Sequence, residues 1–345
     1  MAVAGRRLWS AFLARTAARV TVLAPAEFGA RMPAAFHVAL PALKGAARLR
    51  WQQFVLPGVV RARQIEILHC PCYTAPLSAS CKLVVTVHDL IAFTHPRLAG
   101  WRNALHLRLM AGHSVRRADA VCVPTDVVRR SVIERFALPP AKVFVVPWGV
   151  DAELVPLGKD EAARVVRNRF GVDEPFALFC GCIEAKKNLP AAIRACEDAG
   201  LLLLAVGPVV AGSAAVLSRA GPAESTRWRY LGYVPAAELS ALYSAAVALV
   251  YPSHVEGFGL PPVEAMRCGC PVVASDSPAV REVCAGAALH VAPSDMAALA
   301  SAIRAIATDR GLRESLEARG KARAAAFTWA VAAERFGEAL AFAGR

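Results

Sequence analysis

Residues Tyr251 to Val283 read YPSHVEGFGLPPVEAMRCGCPVVASDSPAVREV. Two glutamates, Glu256 and Glu264, stand within it with seven residues between them: the turn Gly257-Phe258-Gly259-Leu260, the pair Pro261-Pro262 and Val263. Proline is tolerated at the start of a helix, so the pair marks a helix onset. The helix then runs from Val263 to about Cys268 and stops at Gly269, a C′ glycine. Pro271 to Ser275 is short, apolar and suited to a buried parallel strand, as is Ala246 to Tyr251 upstream. The local order is strand, glycine turn, helix, strand.

This order suits an anion. A helix N-terminus presents unpaired N–H groups and a partial positive charge, and a glycine turn lets backbone approach a phosphate closely. Ionised carboxylates only accept hydrogen bonds, so Glu256, before the turn, and Glu264, in the first helical turn, are suited to neutral hydroxyl groups. A diphosphate flanked by two hydroxyl-bearing rings fits both demands, and a nucleotide sugar is such a ligand.

The stretch resembles, residue for residue, the donor-site signature of the retaining glycosyltransferases of GT-B fold, the large family-4 group. The resemblance implies an α/β chain of two Rossmann-like domains facing across a cleft. Residues 1–155 would form the acceptor-binding domain and 156–326 the nucleotide-sugar-binding domain. Residues 327–345 would be a helix crossing back to the first. It also implies that Glu256 contacts the transferred sugar, Glu264 holds the ribose hydroxyls, and the amides of Gly257, Phe258, Gly259 and Leu260 face sugar and diphosphate. Further contacts follow by resemblance. His88 and Asp89 would line the sugar and acceptor site, Gly232-Tyr233-Val234 would lie against the nucleobase, and Ser277-Pro278-Ala279 with Glu282 would form another donor-pocket loop. His88, Glu256 and Lys187 would be the catalytic set. Two departures stand out: Trp148 occupies a position where the family commonly has asparagine, and Cys182 one where some members have arginine. The family also opens with a strand and a glycine-rich loop, whereas here only Gly5 precedes the first helix. Either the first strand is missing, which would leave an edge or gap in the sheet, or the true start lies upstream.

The residues around these motifs read consistently. Lys82 to His88 carries the β-branched run LVVTV, followed by His88-Asp89 at a strand's C-terminal end, where ligands sit in open α/β sheets. Phe176-Ala177-Leu178-Phe179 reads as a strand entering the loop Gly181-Cys182-Ile183-Glu184-Ala185-Lys186-Lys187. Two adjacent cations at a strand-to-helix turn suit a diphosphate, lysine acting as a point charge. Elsewhere, Arg48 to Leu56 reads as a helix ending before Pro57, Tyr230 to Val234 as a strand, and Trp329 to Phe342 as a final amphipathic helix.

Composition sets the outer bounds. The 345 residues suffice for two domains, and 56% hydrophobic content with 23 Gly and 23 Pro is that of a packed globular protein. The 10 cysteines include three C-x-C pairs, at 70/72, 180/182 and 268/270, without zinc spacing, so free thiols in a reducing cytosol are expected. No D-x-D sequence occurs, so no divalent metal and no cofactor beyond the co-substrate are expected, with Lys186, Lys187 and the helix start at Pro261 stabilising the departing diphosphate. The net charge of +13 lies entirely in the first half: residues 1–150 hold 20 Lys and Arg against 6 Asp and Glu, residues 151–345 hold 20 against 21. A basic half implies an anionic partner, read here as a lipid-linked or polysaccharide acceptor at the inner face of an acidic membrane. Nucleic acid is set aside because no recognition motif accompanies the charge. The uncharged run Ala199 to Ser218 is broken by Gly207-Pro208 and reads as strand and turn, so the expected location is cytoplasmic and peripheral.

The expected activity is transfer of a hexose, mannose before others, from a nucleotide diphosphate sugar with retained configuration, in cell-envelope glycan synthesis. The alternative is an inactive donor-binding relative with an incomplete acceptor domain. A glycosidase using Glu256 and Glu264 leaves Lys186-Lys187 unexplained. A nicotinamide dehydrogenase lacks its third glycine.

Overall fold

The computed structural model describes residues 2–25, 36–40, 43, 45–210, 213, 216 and 227–345. The chain divides into two compact units, Met1–Gly149 with Thr328–Arg345, and Val150–Phe327. The division falls earlier than the expected residue 155 because the connector is bonded into the second unit. Val150 N donates to Phe327 O (2.9 Å), Val155 N to Ser240 Oγ (3.1 Å) and Leu157 N to Ser244 Oγ (3.1 Å).

In the first unit, the helix Ala2–Leu13 leads to β1 (Thr21–Pro25), paired in parallel with β2 (Phe36–Leu40). A separate parallel sheet runs β3 (Ile67–Cys70), β4 (Lys82–Thr86), β5 (Ala120–Val123) and β6 (Val143–Val145) in that spatial order. Among the described residues no strand precedes the first helix, and no ladder joins the two sheets. β4 and β5 are buried almost throughout, which is why they read as unbroken β-branched and apolar runs. Thr125 caps the helix Asp126–Phe136, its hydroxyl accepting from Val128 N. The expected helix near Arg48 is longer than predicted: Gly45–Arg50, a π turn Trp51–Val55 and Leu56–Ala62 follow without a break. Pro57 falls at the junction between the π turn and the last segment.

The final helix, Trp329–Ala343, packs on the first helix and on β4 to β6. Phe336 is fully buried among Val84, Ala120 and Cys122 and meets Trp9 and Phe12 edge-on at 5.0 and 5.6 Å. Gly149 permits the return of the chain: a Cβ there would lie 2.3 Å from Trp329 N.

The second unit is a six-stranded parallel sheet in the order β12-β11-β10-β7-β8-β9. Its strands are β7 (Phe176–Cys180), β8 (Leu202–Val206), β9 (Trp228–Gly232), β10 (Ala248–Tyr251), β11 (Val272–Ser275) and β12 (Leu289–Val291). The central strands β7, β8, β10 and β11 are wholly buried because helices cover both faces. β9 is Trp228–Gly232 rather than 230–234, so Tyr233 and Val234 lie beyond it. Pro278–Cys284 is a helix and not the expected loop; Ser277 with Pro278 at its first position is a helix start. The chain winds outward from β7 through β8 to β9, then returns to β10 on the other flank. That reversal makes the β7/β10 crevice the topological switch point, where the carboxyl ends of the strands bind ligands. Among the described residues no helix is long and apolar enough to cross a membrane; the run Ala199 to Ser218 contains β8, and part of it lies outside the described residues.

Candidate active site

Two loops leave the sheet at the switch point. β7 and β10 are neighbours in one ladder, with Ala177 opposite Ala248 and Leu178 opposite Leu249. The loop after β7 ends in a 3-10 turn, Ala185–Lys187, closed by Asn188 in the left-handed conformation. The loop after β10 carries Glu256. Adjacent strands therefore bring together residues 69 apart in sequence. Lys187 Nζ donates to Glu256 Oε1 at 2.5 Å, and His254 N donates to Lys186 O at 2.8 Å, tying the loops by backbone as well. The Lys187 and Glu256 side chains are 10% and 8% exposed.

A third group completes the pair. Tyr251, the last residue of β10, accepts from Lys187 Nζ (2.8 Å) and donates to Glu256 Oε1 (2.8 Å). Burial alone would push the Glu256 carboxyl up, but the charges of Lys187 and Lys186 and the bonds from Lys187 and Tyr251 outweigh it and hold the group below the usual carboxylate range. Lys186 pairs with Glu184 at 3.4 Å and is less deeply buried than Lys187.

Glu264 has no such cation. It lies in the second turn of the helix Leu260–Arg267 rather than the first, and its Oε2 accepts from Tyr243 OH at 3.0 Å. Burial pushes its carboxyl up to about 7, the Tyr243 bond opposing and Asp151 adding to the rise. The helix begins at Leu260, one residue before the predicted onset, with Gly259 at φ +101 in front of it. Pro261 and Pro262 carry no N–H, so the donors at this end belong to the glycine turn. Phe258 is buried against Phe327.

The other predicted donor contacts lie at the same edge of the sheet, since all six strands are parallel. Gly181 N donates to Val206 O (3.0 Å), and Gly232 O accepts from Gly207 N (2.8 Å). Tyr233 is 79% exposed and Val234 is buried. Sequence reasoning missed Tyr251 and Tyr243, which read as ordinary apolar members of a strand and a helix.

His88 and Asp89 belong to the first unit. His88 Nε2 donates to Pro71 O at 2.7 Å, and its ring stacks on Trp148 at 5.2 Å. Burial lowers its pKa, the Pro71 bond and Asp89 opposing, so the ring is neutral and Nδ1 is an acceptor, buried without a protein partner. Asp89 Oδ1 accepts from Ile91 N (3.1 Å), fixing the loop after β4. Among the described residues no cluster of His, Cys, Asp and Glu is arranged to hold a metal.

Comparison with known proteins identifies the family. The family model of glycosyl transferases group 1 matches residues 162–323, and that of glycosyltransferase family 4 matches residues 8–154. The chain is 30% identical over 275 residues to O-antigen chain mannosyltransferase B of Escherichia coli, covering 76% of this chain and 71% of that protein. The chain belongs to the group 1 glycosyltransferases. Its fold is similar to that of Anabaena Alr3699/HepE in complex with UDP and glucose, with a TM-score of 0.78 at 20% identity over 99% of this chain and 95% of that one. WaaG, a glycosyltransferase involved in lipopolysaccharide biosynthesis, gives 0.75 at 17% identity over 97% and 94%. The serotype-specific mannosyltransferase WbdA of Escherichia coli is 26% identical over 80% of this glycosyltransferase, which spans only 36% of WbdA.

Proposed function

We propose that this glycosyltransferase moves a hexose, mannose before others, from a nucleotide diphosphate sugar to a lipid-linked or polysaccharide acceptor during cell-envelope glycan synthesis, with retained configuration and without a required metal. The observation that carries the reading is the buried Lys187–Glu256 pair at the switch point, with a glycine turn beside it. Lys187 and the turn amides would stabilise charge growing on the leaving diphosphate, and Glu256 would hold hydroxyls of the transferred sugar. Glu264 would hold the ribose hydroxyls. His88 Nδ1, an acceptor without a protein partner, would take a hydrogen bond from a ligand hydroxyl. The choice of mannose rests on relatives whose names specify mannosyl transfer to O-antigen chains.

Thermal-shift screening against GDP-mannose, UDP-glucose, UDP-galactose and UDP-N-acetylglucosamine, followed by transfer assays with and without EDTA, tests this directly. Stabilisation by none of the four, or loss of transfer in EDTA, would refute the donor and the metal claims respectively. A second reading is favoured by the unjoined β1–β2 and β3–β6 sheets: a donor-binding relative without turnover. Donor binding with neither transfer nor donor hydrolysis would establish it. For the acidic membrane face, retention on vesicles with and without anionic lipid is the test, and equal retention would end that part of the proposal.

A further inference from the structure

We infer that Tyr251 is a positioning residue for the transfer reaction proposed above, its hydroxyl keeping Glu256 held when Lys187 turns toward the diphosphate. A phenol has one proton and two lone pairs, an ammonium only donates and an ionised carboxylate only accepts. The two contacts of Tyr251 Oη therefore have a fixed sense: Lys187 donates to it and it donates to Glu256, each at 2.8 Å. The ring is 1% exposed at the end of a wholly buried strand, so the hydroxyl has little freedom to move. Lys187 Nζ lies 5.0 Å from the centre of the same ring, at its hydroxyl end, so the contact is to the oxygen.

The arrangement answers a problem posed by the ligand. Before a diphosphate arrives, the Lys187 charge is spent on Glu256. An incoming diphosphate competes for that charge, and Glu256, 8% exposed, would lose its cation in a buried place. A buried carboxylate without a donor is costly and protonates. Tyr251 remains as a second donor on the same oxygen, so Glu256 stays ionised and aimed while Lys187 serves the phosphate. Tyr251 does not touch the substrate in this scheme; it acts through Glu256 and Lys187.

The test compares wild type, Tyr251→Phe and the chain with 3-fluorotyrosine at 251, recording kcat and KM for the donor across pH. Phe keeps the ring and removes the hydroxyl. The expected result is a fall in kcat of about tenfold, the size of one charge-assisted hydrogen bond, with KM changed less than about twofold. The acid limb of the kcat profile moves to higher pH, because Glu256 loses a donor to its ionised form. Fluorotyrosine, a stronger donor, retains kcat and moves the limb to lower pH. On a Glu256→Gln background the Phe substitution adds less than about twofold. A Phe variant with an unmoved acid limb and unchanged kcat overturns the inference, whatever its melting temperature. So does fluorotyrosine behaving like Phe. Should the Phe variant fail to fold, an unmoved limb in the fluorotyrosine protein overturns it equally. The inference rests on the glycosyl-transfer reading, and calorimetric binding of UDP and GDP across pH separates the two. No transfer by wild type, but a pH dependence of binding that moves in the Phe variant, sinks the reading and keeps Tyr251 as positioner. Transfer by wild type with an unmoved limb does the reverse.

Discussion

Replacing Lys187 by methionine removes the cation that pairs with Glu256 among the described residues and leaves the carboxylate 8% exposed with the Tyr251 hydroxyl as a remaining side-chain donor. Breaking a buried ion pair from one side costs about 3–5 kcal/mol. The second unit runs from Val150 to Phe327, and for a domain of that size 1 kcal/mol corresponds to about 2–4 °C in melting temperature. Lys187→Met is therefore expected to lower the transition of this unit by about 10 °C at neutral pH. The deficit shrinks as pH falls, because a protonated Glu256 no longer needs a cation. The double variant Lys187→Met with Glu256→Leu removes both charges and is expected to recover to within about 2 kcal/mol of wild type while remaining inactive. Calorimetric melts of the full chain at several pH values, paired with transfer assays, measure all of this. A single variant melting within 1–2 °C of wild type, allowing about 0.5 kcal/mol for a surface change, would mean that the pair is solvated and the site argument wrong.

Three other outcomes follow from the geometry. Glu264, raised to about 7 against an ordinary 4.5, makes the folded chain hold more protons than the unfolded chain between those values. Stability is thus full below pH 4.5 and falls by about 3 kcal/mol as pH rises to 7, while donor affinity, which needs the ionised acceptor, rises over the upper part of that window; titration calorimetry should show Glu264→Gln removing both slopes. Gly149→Ala places a Cβ against the backbone of Thr328 and Trp329, and denaturant melts should show a loss of more than about 2 kcal/mol. Burial pushes the thiols of Cys122, Cys180 and Cys284 up to about 12, so at pH 8 a thiol reagent should label only the half-buried Cys72, Cys81 and Cys182 in native protein, counted by mass spectrometry.

The parts of the fold visible in the sequence were those with one-dimensional signals. Buried parallel strands such as Leu202–Val206 are unbroken apolar runs, and helix ends carry caps such as Thr125. Lys187 and Glu256 were identifiable because each sits in a turn with a distinctive composition. What escaped depends on the third dimension. Tyr251 shares its apolar pattern with any buried strand end, and only the pairing of β10 with β7 places its hydroxyl between the two charges. The depth of Glu264 in its helix was misjudged by one residue, enough to move it into the second turn, because the helix begins before its prolines. Ser277-Pro278-Ala279 with Glu282 was expected by resemblance to be a loop, although Pro278 after Ser277 is a helix start.

The adjacency of β7 and β10 also bears on how such a protein can change over time. Lys187 and Glu256 hang from neighbouring rungs of one ladder, so their separation is set by the backbone pairing of the sheet's middle, which tolerates little alteration. The loops after β9 and β11 hang from other strands of that sheet. Their residues can be exchanged without disturbing the charged pair, so under the proposed function descendants of this chain would be free to acquire different tastes in base and sugar while inheriting the Lys187–Glu256 pair intact.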